Sequence, residues 1–472
     1  VALVTSLHAA RRVALLASVA ASACGVDDEV GGATSSGALT GDSSGDNAPG
    51  DSAPAPTGAP TSTCGNGQLE DGEDCEPGLP GPACASDCAF EPGALLWRAR
   101  HDGPAGAGDY GYAVAVAPDG GVLVVGDTYV DGDGGELWLA RYEPDGALTW
   151  STHHGATPGE DYQDAGRGLA VGAGGEIFVT GFSYAPGTGF DVLIARFDAD
   201  GALAWSSRHD GPASGLDAGA AIVVDREGAV IVAGTVDTGA EAADDVWIAR
   251  LRPDGVLTWE TRYDHGVGGN DRAGGLALAP DGLGFALAGS VEVGAPGQLL
   301  GTDAWLARYD GDGQPRWSTT FAGPQGDFGY DAALAVAFDP EDEALVTAGY
   351  VAPAVEASDS WVARYDASGA LQWSRTYSEP TSSSNVAYAL ALGERGDIVA
   401  AGFRLRMNEG EDVWVRKYTP DGEPLWTRTH DDAGFYDIAR GVAVDEGGRA
   451  YVTGFSFAEA TGYDVWLGAF AP

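Results

Sequence analysis

Short apolar segments separated by turn residues make up most of this chain. Each segment has the length of a β-strand and is bounded by glycine, proline or aspartate, which favour tight reversals of the backbone. In the segment 245–251, Trp247 and Leu251 lie on one face and Ile248 lies on the other. A strand that is bulky on both faces is expected in a sheet packed between two neighbouring sheets. The pattern predicts an all-β fold.

Four such segments recur as one unit along the chain. The unit contains an aspartate followed by small apolar residues, a strand ending in glycine, a strand opening with an acidic residue, and a strand carrying tryptophan. A Pro-Asp-Gly turn, as at 253–255, connects the last two strands. Four strands in about 54 residues is the size of one β-propeller blade. The tryptophans that mark successive units are Trp97, Trp150, Trp205, Trp259, Trp317, Trp373 and Trp426.

Seven units fill the segment 93–472, and the two ends of this segment complement one another. The sequence stops at 470–472, within the turn that reads 142–146 in the first unit. The other half of that turn occurs at 93–97. We therefore predict a seven-bladed β-propeller with four antiparallel strands per blade, whose last blade is closed by the N-terminal strand. Pairing the two ends would leave no exposed strand edge there.

The repeated unit resembles the SBBP type of bacterial β-propeller repeat over about 380 residues. This resemblance implies a propeller carried by an exported or surface protein. It implies no particular activity, because propellers serve both as enzymes and as binding proteins.

The N-terminus has the features of an export signal. A basic start precedes the apolar run 13–23, which is too short to span a bilayer. Residues 21–25 resemble a bacterial lipobox, which implies that residues 1–23 are removed as a signal peptide and that Cys24 is acylated. We expect an outer-membrane or cell-surface lipoprotein. Simple cleavage, giving a secreted protein without lipid, is the alternative.

Two short regions follow the signal peptide. Residues 24–62 are low in complexity and contain no aromatic residue, which predicts a flexible tether. The segment 63–92 contains four cysteines, and an even number in an exported chain predicts two disulfides of open connectivity, with a zinc site as the alternative. Its Cys-Gly-Asn-Gly start resembles a cysteine-rich repeat of myxobacterial surface proteins. The cysteines are Cys64, Cys75, Cys84 and Cys88.

The formal net charge of −45 at pH 7 excludes two classes of partner. Neutralising phosphates requires clustered Lys and Arg, so nucleic acid is not an expected ligand. The same acidity disfavours electrostatic docking on anionic lipid, so we expect membrane attachment through the lipid anchor alone.

Histidines occupy a position of the unit that other aromatic residues also occupy. Since tyrosine and phenylalanine replace histidine there, the ring matters and the nitrogen does not. No serine-hydrolase, zinc-protease or phosphate-loop motif occurs, so no catalytic or cofactor-binding residue is predicted. The position, four residues after each marker tryptophan, holds His101, His154, His209, Tyr263, Phe321, Tyr377 and His430.

A column of carboxylates is the best candidate for a metal site. One aspartate or asparagine begins the innermost strand of each unit, so the column is expected to circle one mouth of the central channel. Ca²⁺ prefers such oxygen ligands. The alternative is that each side chain caps its own loop through backbone N–H groups. The candidates are Asp109, Asp164, Asp217, Asp271, Asp331 and Asp437, with Asn385 in the remaining unit.

These observations favour a non-enzymatic binding or scaffold module displayed at the cell surface. We expect a monomer that binds a protein or polysaccharide and needs no cofactor, with Ca²⁺ as the one candidate ion. The alternatives are a lyase or hydrolase acting on an extracellular polymer at the channel mouth, and a structural propeller that depends on Ca²⁺. An insertion at 291–302 marks the loop face as the place where specificity would reside.

Overall fold

The computed structural model describes Cys75, residues 83–85, and then most of the chain beyond them. The described ranges are 89–130, 134–155, 162–239, 244–266, 269–282, 284–295, 298–354, 357–379, 382–406, 410–432 and 436–472. These residues form 28 β-strands and one 3-10 turn at Gly326–Phe328, and they contain no α-helix. In the described part of the chain, no helix has the length and apolar character needed to cross a membrane.

Antiparallel pairing joins the strands in sets of four, which we name sheets 1 to 7. Sheet 1 consists of β2 (Tyr110–Val116), β3 (Val122–Val130), β4 (Gly134–Tyr142) and β5 (Leu148–His154). Sheet 2 consists of β6 (Tyr162–Val171), β7 (Ile177–Ala185), β8 (Gly189–Phe197) and β9 (Leu203–His209). Sheet 3 consists of β10 (Ala218–Val224), β11 (Val230–Asp237), β12 (Asp244–Leu251) and β13 (Leu257–Tyr263).

The remaining sheets continue the same order. Sheet 4 consists of β14 (Arg272–Leu278), β15 (Gly284–Ala295), β16 (Gln298–Asp310) and β17 (Pro315–Phe321). Sheet 5 consists of β18 (Ala332–Phe338), β19 (Leu345–Ala354), β20 (Ala357–Tyr365) and β21 (Leu371–Tyr377). Sheet 6 consists of β22 (Ser382–Leu392), β23 (Ile398–Arg406), β24 (Gly410–Tyr418) and β25 (Pro424–His430). Sheet 7 consists of β26 (Ile438–Val444), β27 (Ala450–Ala458), β28 (Gly462–Phe470) and β1 (Leu95–His101).

Two pairs of sheets are also connected by parallel pairing between strands, and three further pairs by single parallel bridges. Gly134 of β4 pairs with Tyr162 of β6, and Ser358 of β20 pairs with Ser384 of β22. These contacts lie where the hairpin between the second and third strands of one sheet meets the entry to the next sheet. They join sheets 1 and 2, and sheets 5 and 6, into continuous eight-stranded sheets.

Sheet 7 combines strands from both ends of the described chain. β1 pairs antiparallel with β28, with Ala99 opposite Leu467 and His101 opposite Val465. The backbone N–H of Ala471 donates to the carbonyl of Ala94 at 2.8 Å and continues this pairing into the turn. The complementary half-turns at the two ends therefore meet, as their sequences predict.

The apolar core lies between the sheets. Seven clusters of buried side chains each bridge two consecutive sheets, and one of them joins sheet 7 to sheet 1 through Tyr451, Leu467 and Trp138. The first strands contact one another in succession, and β26 contacts β2. Burying large aromatic and aliphatic side chains on both faces of each sheet supplies most of the stabilisation between sheets.

A turn glycine packs beneath a marker tryptophan of the preceding sheet. Gly201 has a φ of +84°, and a Cβ at this position would lie 2.8 Å from the Trp150 ring. Glycine is required here both for the left-handed backbone and for the close approach of the ring. Gly93, in the N-terminal half-turn, meets Trp426 in the same way. The turn formed by the two chain ends therefore packs like the continuous turns of the other sheets.

The insertion at 291–302 lengthens a hairpin and does not form an irregular loop. β15 and β16 continue their pairing through Val291 opposite Asp303 and Val293 opposite Gly301. Of the predicted disulfide module, Cys75 and Cys84 form a disulfide with a Cα–Cα distance of 5.7 Å. Cys64 and Cys88 lie outside the described residues, as do Cys24, the signal peptide and the tether.

Candidate functional site

The aspartate column lies at one end of the first strands, as the repeat predicts, but its side chains are buried. Asp109 and Asp217 have no exposed surface, and Asp164, the most exposed member, is 4% exposed. The expected open ring at a channel mouth is therefore a set of side chains enclosed between loops. The other members, at most 1% exposed, are Asp271, Asp331, Asn385 and Asp437.

Asp217 illustrates what holds these carboxylates in place. Its Oδ2 accepts a hydrogen bond from the backbone N–H of Gly211 at 2.5 Å, and its Oδ1 accepts one from Asp237 at 2.7 Å. Its own N–H donates to the carbonyl of Phe190 in sheet 2 at 2.8 Å. One residue thus connects the entry loop, the second strand of its own sheet and the preceding sheet.

The same pair of backbone donors recurs at four further members of the column. Buried N–H groups require acceptors, so the aspartates satisfy donors that the loops themselves leave unpaired. This is the loop-capping arrangement that the sequence leaves open beside cation binding. The donor pairs are Gly103 and Tyr129 for Asp109, His265 and Glu292 for Asp271, Gly323 and Ala352 for Asp331, and Asp432 and Phe457 for Asp437.

Burial changes the acidity of the column. Loss of hydration raises the pKa of Asp109, Asp217 and Asp271 to about 6, although the two backbone hydrogen bonds act in the opposite direction. Burial also raises the pKa of Asp331 and Asp437 above the ordinary range for aspartate. These carboxyl groups therefore titrate closer to neutral pH than exposed aspartates do.

Two members of the column belong to clusters of three carboxylates between neighbouring sheets. Asp109 lies with Asp102 and Asp464, and one oxygen from each lies within 4.8 Å of the others. We name such a cluster a seam triad. In the repeat, Asp102 follows a marker tryptophan by five residues, and Asp464 opens a third strand. The second seam triad consists of Asp191, Asp210 and Asp217.

The seam triads were not predicted as clusters, because their members are distant in the sequence. Aligning the units could have indicated the triads, because only some units carry an acid five residues after the marker tryptophan. Each triad retains a buried oxygen, Asp464 Oδ1 or Asp191 Oδ1, without a hydrogen-bond partner among the described residues. Burial is the main cause that raises the pKa of both residues, and nearby carboxylates contribute.

The aromatic column packs between sheets, in agreement with its predicted structural role. His209 of sheet 2 stacks on Trp247 of sheet 3, with ring centroids 4.4 Å apart. Five other members stack on the third-strand tryptophan of the next sheet in the same way, and His154 meets Phe197 edge-on. Burial lowers the pKa of His101 and His154, which favours neutral rings in these positions.

A second column, which the sequence analysis did not identify, lies on the first strands three residues after the aspartate column. Each member lies at a β-bulge and has no partner on the second strand of its sheet. The position after it is always Gly or Ala, because first strands from adjacent sheets touch there. We name this the axis column; its members are Tyr112, Arg167, Ala220, Gly274, Leu334, Tyr388 and Arg440.

A cleft with a volume of about 480 Å³ lies at the opposite end, among the turns that connect third and fourth strands. Arg250, Arg252 and Asp312 contribute to its lining. Arg252 already pairs with Asp254 at 2.7 Å, and Arg250 pairs with Asp225 at 2.5 Å. The charged groups of this cleft are therefore largely engaged in local contacts.

Comparison with known proteins identifies a β-propeller domain in this chain. The family model described as "Domain of unknown function (DUF5122) beta-propeller" matches residues 117–148, which include β3 and β4. A search of curated protein sequences finds no match.

Solved structures that resemble the chain at low identity include two gluconolactonases and a protease domain. The gluconolactonase of Xanthomonas campestris is 17% identical, with 83% of this chain and 98% of that chain covered and a TM-score of 0.36. The periplasmic gluconolactonase of Pseudomonas aeruginosa is 18% identical, with 69% and 87% covered and a TM-score of 0.43. The β-propeller domain of the Trilobed protease of Pyrococcus furiosus is 10% identical, with 76% and 93% covered and a TM-score of 0.42.

Proposed function

We propose that this chain is a non-enzymatic binding or scaffold module, built on a closed seven-bladed β-propeller and displayed at the cell surface by a lipid anchor. In this proposal sheets 1 to 7 are the blades, and β1 completes the last of them. The contact of β26 with β2 and the apolar cluster between sheets 7 and 1 support closure. The SBBP-like repeat supports an exported location.

One observation carries the binding role: the residues with catalytic potential are used to hold the sheets together. The histidine rings stack on tryptophans of the next sheet, and the column aspartates accept backbone hydrogen bonds from their own loops. Side chains engaged in this way are not arranged to transfer protons to a substrate. A rigid frame with loops of unequal length suits recognition of a surface partner.

Two observations support the lipid anchor and a location outside the cytoplasm. The lipobox-like sequence ends at Cys24, and the Cys75–Cys84 disulfide fits an oxidising compartment outside the cytoplasm. Replacing Cys24 by Ser should abolish incorporation of labelled palmitate and release the protein from membranes of the source cells. Equal labelling of the C24S variant and the wild type would contradict lipid attachment at this residue.

The binding role can be tested by capture of partners from source-cell envelopes. The probe is the full chain, and the test variant shortens the long hairpin between Val293 and Gly301 to the two-residue length of a tight turn. The matched control alters the ordinary hairpin at 186–188 of sheet 2. We expect capture of a defined protein or polysaccharide to be lost with the first variant and kept with the second. Equal capture by both variants would contradict recognition by this hairpin.

A structural role for Ca²⁺ is the second candidate, favoured by the seam triads. Three carboxylates within 4.8 Å repel one another, and a divalent ion bound to them would remove that repulsion. Asp102 and Asp210 are the exposed members of their triads, so replacing them by Ala perturbs the buried column little.

Calorimetry with CaCl₂ and with EDTA tests this candidate. We expect Ca²⁺ to raise the melting temperature of the wild type and to have less effect on the D102A/D210A variant. The control is D200A, which removes an exposed aspartate outside both triads. A melting temperature that is the same in Ca²⁺ and in EDTA would exclude a structural Ca²⁺ ion.

A further inference from the structure

Four large side chains of the axis column occupy one arc of the first strands. Tyr388, Arg440, Tyr112 and Arg167 belong to sheets 6, 7, 1 and 2, whose first strands are consecutive neighbours. The remaining arc carries only small or aliphatic side chains. Those positions are Ala220, Gly274 and Leu334. The space surrounded by the first strands is therefore charged and aromatic on one side and less filled on the other.

Aromatic rings hold the two guanidinium groups of this arc in defined positions. The Cζ of Arg440 lies 4.0 Å from the ring centroid of Tyr388, and the Cζ of Arg167 lies 4.8 Å from that of Phe182. Tyr112 is 6.0 Å from the Cζ of Arg167 and lies on the strand between the two arginines. Stacking uses the faces of a guanidinium group and leaves its N–H edges available for hydrogen bonds.

One donor of each guanidinium group has no acceptor in the described part of the protein. The Nε atoms of Arg167 and Arg440 are buried and have no hydrogen-bond partner among the described residues. No carboxylate in the described part of the chain lies within 4.0 Å of either guanidinium group, although most of the other arginines have such a partner. Buried donors without acceptors are uncommon and energetically costly.

The charge of Arg440 also acts on Arg167. Burial lowers the pKa of Arg167, and the nearby positive charge of Arg440 adds to that effect. A partly buried pair of like charges is stabilised most directly by an anion. An oxygen acid with two coplanar acceptors matches the planar fork of each guanidinium group.

Two acidic groups lie close enough to limit the net charge of the arc. Asp127 faces Tyr112 and Arg167, and Glu411 faces Arg440; burial raises the pKa of each acid to about 7. The two acids therefore offset part of the positive charge of the arginines. Because two acids already lie beside the arginines, a carboxylate with one negative charge fits the arc better than a dianionic phosphate.

We propose that Arg167 and Arg440 form a binding site for the carboxylate group of a small acidic ligand inside the space surrounded by the first strands. This inference goes beyond the proposed binding function, which concerns capture of a partner by the long hairpin of sheet 4. The net charge of −45 would repel anions at long range. The site is therefore suited to a ligand that other contacts have already brought to the entrance of this space.

Titration calorimetry with sodium glucuronate is the direct test, with glucose as the neutral analogue and inorganic phosphate as the competing oxyanion. We expect the full chain to bind glucuronate, to bind glucose not at all, and to prefer glucuronate to phosphate. R167M and R440M retain the aliphatic bulk and should each weaken glucuronate binding about tenfold or more, since each removes a charge-assisted donor pair. The matched control, R252M, removes an exposed arginine and should bind like the wild type.

Arginine modification keeps the test independent of variant folding. Phenylglyoxal labelling of the wild type, mapped by mass spectrometry, should be suppressed by glucuronate at Arg167 and Arg440 and unchanged at Arg252. Absence of glucuronate binding, a preference for phosphate, or equal affinity in R167M and the wild type would overturn the carboxylate site.

The two proposals can fail separately. If the full chain captures envelope partners but does not bind glucuronate, the binding function stands and the carboxylate site at Arg167 and Arg440 is wrong. If glucuronate binds but no envelope partner is captured, the carboxylate site at Arg167 and Arg440 stands and the proposed capture of a surface partner is wrong.

Discussion

The buried aspartates act through the backbone. Each carboxylate of Asp109, Asp217, Asp271, Asp331 and Asp437 accepts two N–H groups that come from different segments of the chain. Asparagine at position 385 has one side-chain acceptor where aspartate has two. The column therefore contributes to stability mainly by satisfying loop donors, whether or not some members also bind a cation.

Substitution of Asp217 tests this role at the scale of one residue. D217A leaves the N–H groups of Gly211 and Asp237 without their acceptor, and we expect it to lower the free energy of unfolding by about 2 to 4 kcal/mol. D217N retains one acceptor and should cost less. Denaturant titration and amide hydrogen exchange at residues 211 and 237 measure both effects.

The control for this comparison is D200A, which removes an exposed turn aspartate and should change stability by less than about 0.5 kcal/mol. If D217A is as stable as the wild type, or if D217N is less stable than D217A, the capping interpretation is wrong.

At the scale of elements, the fourth strand and the following turn bind successive sheets together. A marker tryptophan packs on the turn glycine of the next sheet, and three of these indoles also donate to a turn carbonyl, as Trp205 does to Pro253 at 3.1 Å. β1 performs this role for sheet 7, although it comes from the other end of the chain. The last sheet is complete only when both ends are present.

Removal of β1 should destabilise the protein and expose a strand edge. A variant lacking residues 91–102 leaves β28 paired only with β27 and uncovers the apolar surface beneath Trp97. We expect a lower melting temperature and concentration-dependent association, because unpaired edges recruit other strands. Differential scanning calorimetry and light scattering would measure both changes.

Complementation in trans provides the matched control. A peptide of residues 91–102 should restore the melting temperature and the monomeric state, whereas a scrambled peptide of the same composition should restore neither. A truncated protein that melts at the same temperature as the full chain would show that β1 does not stabilise sheet 7.

At the scale of the whole molecule, the buried acids and the high negative charge both favour greater stability at lower pH. The pKa is raised by burial to about 6 in Asp109, Asp217 and Asp271, and to about 7 in Asp127 and Glu411. At these acids the folded protein therefore binds more protons than the unfolded chain between about pH 4 and pH 7, whereas the lowered pKa of His101 and His154 opposes this effect below about pH 6.5. Protonation also reduces repulsion within a chain of net charge −45.

The sign of the pH dependence follows from these shifts. A group whose pKa is higher in the folded state stabilises the protein fully below its unfolded pKa, and this contribution is lost as the pH rises through the folded pKa. We therefore expect the melting temperature to rise as the pH is lowered from 8 to about 5. Scanning calorimetry at constant ionic strength would measure this trend.

Salt separates the two contributions to this trend. At 0.5 M NaCl the general repulsion is screened, and the remaining slope between about pH 5 and pH 8 is the effect of the buried acids reduced by that of the buried histidines. A melting temperature that increases with pH across this range would contradict the raised pKa values.

The sequence by itself determined the all-β character, the strand order and the pairing of the two ends. These follow from local chemistry that recurs in every unit: apolar strands, glycine at a left-handed turn, and half-turns that complete one another. Gly93 and Trp426 show why this works, because the same residue types meet at all the other turns. The position of the aspartate column could be predicted for the same reason.

Only the tertiary structure decided what the charged side chains can do. Burial of Asp217, the seam triad of Asp109 with Asp102 and Asp464, and the stacking of Arg440 on Tyr388 all depend on residues from different units. Sequence periodicity describes each unit separately, whereas hydration and electrostatic interaction depend on distances between units. Those distances exist only after the sheets have packed against one another.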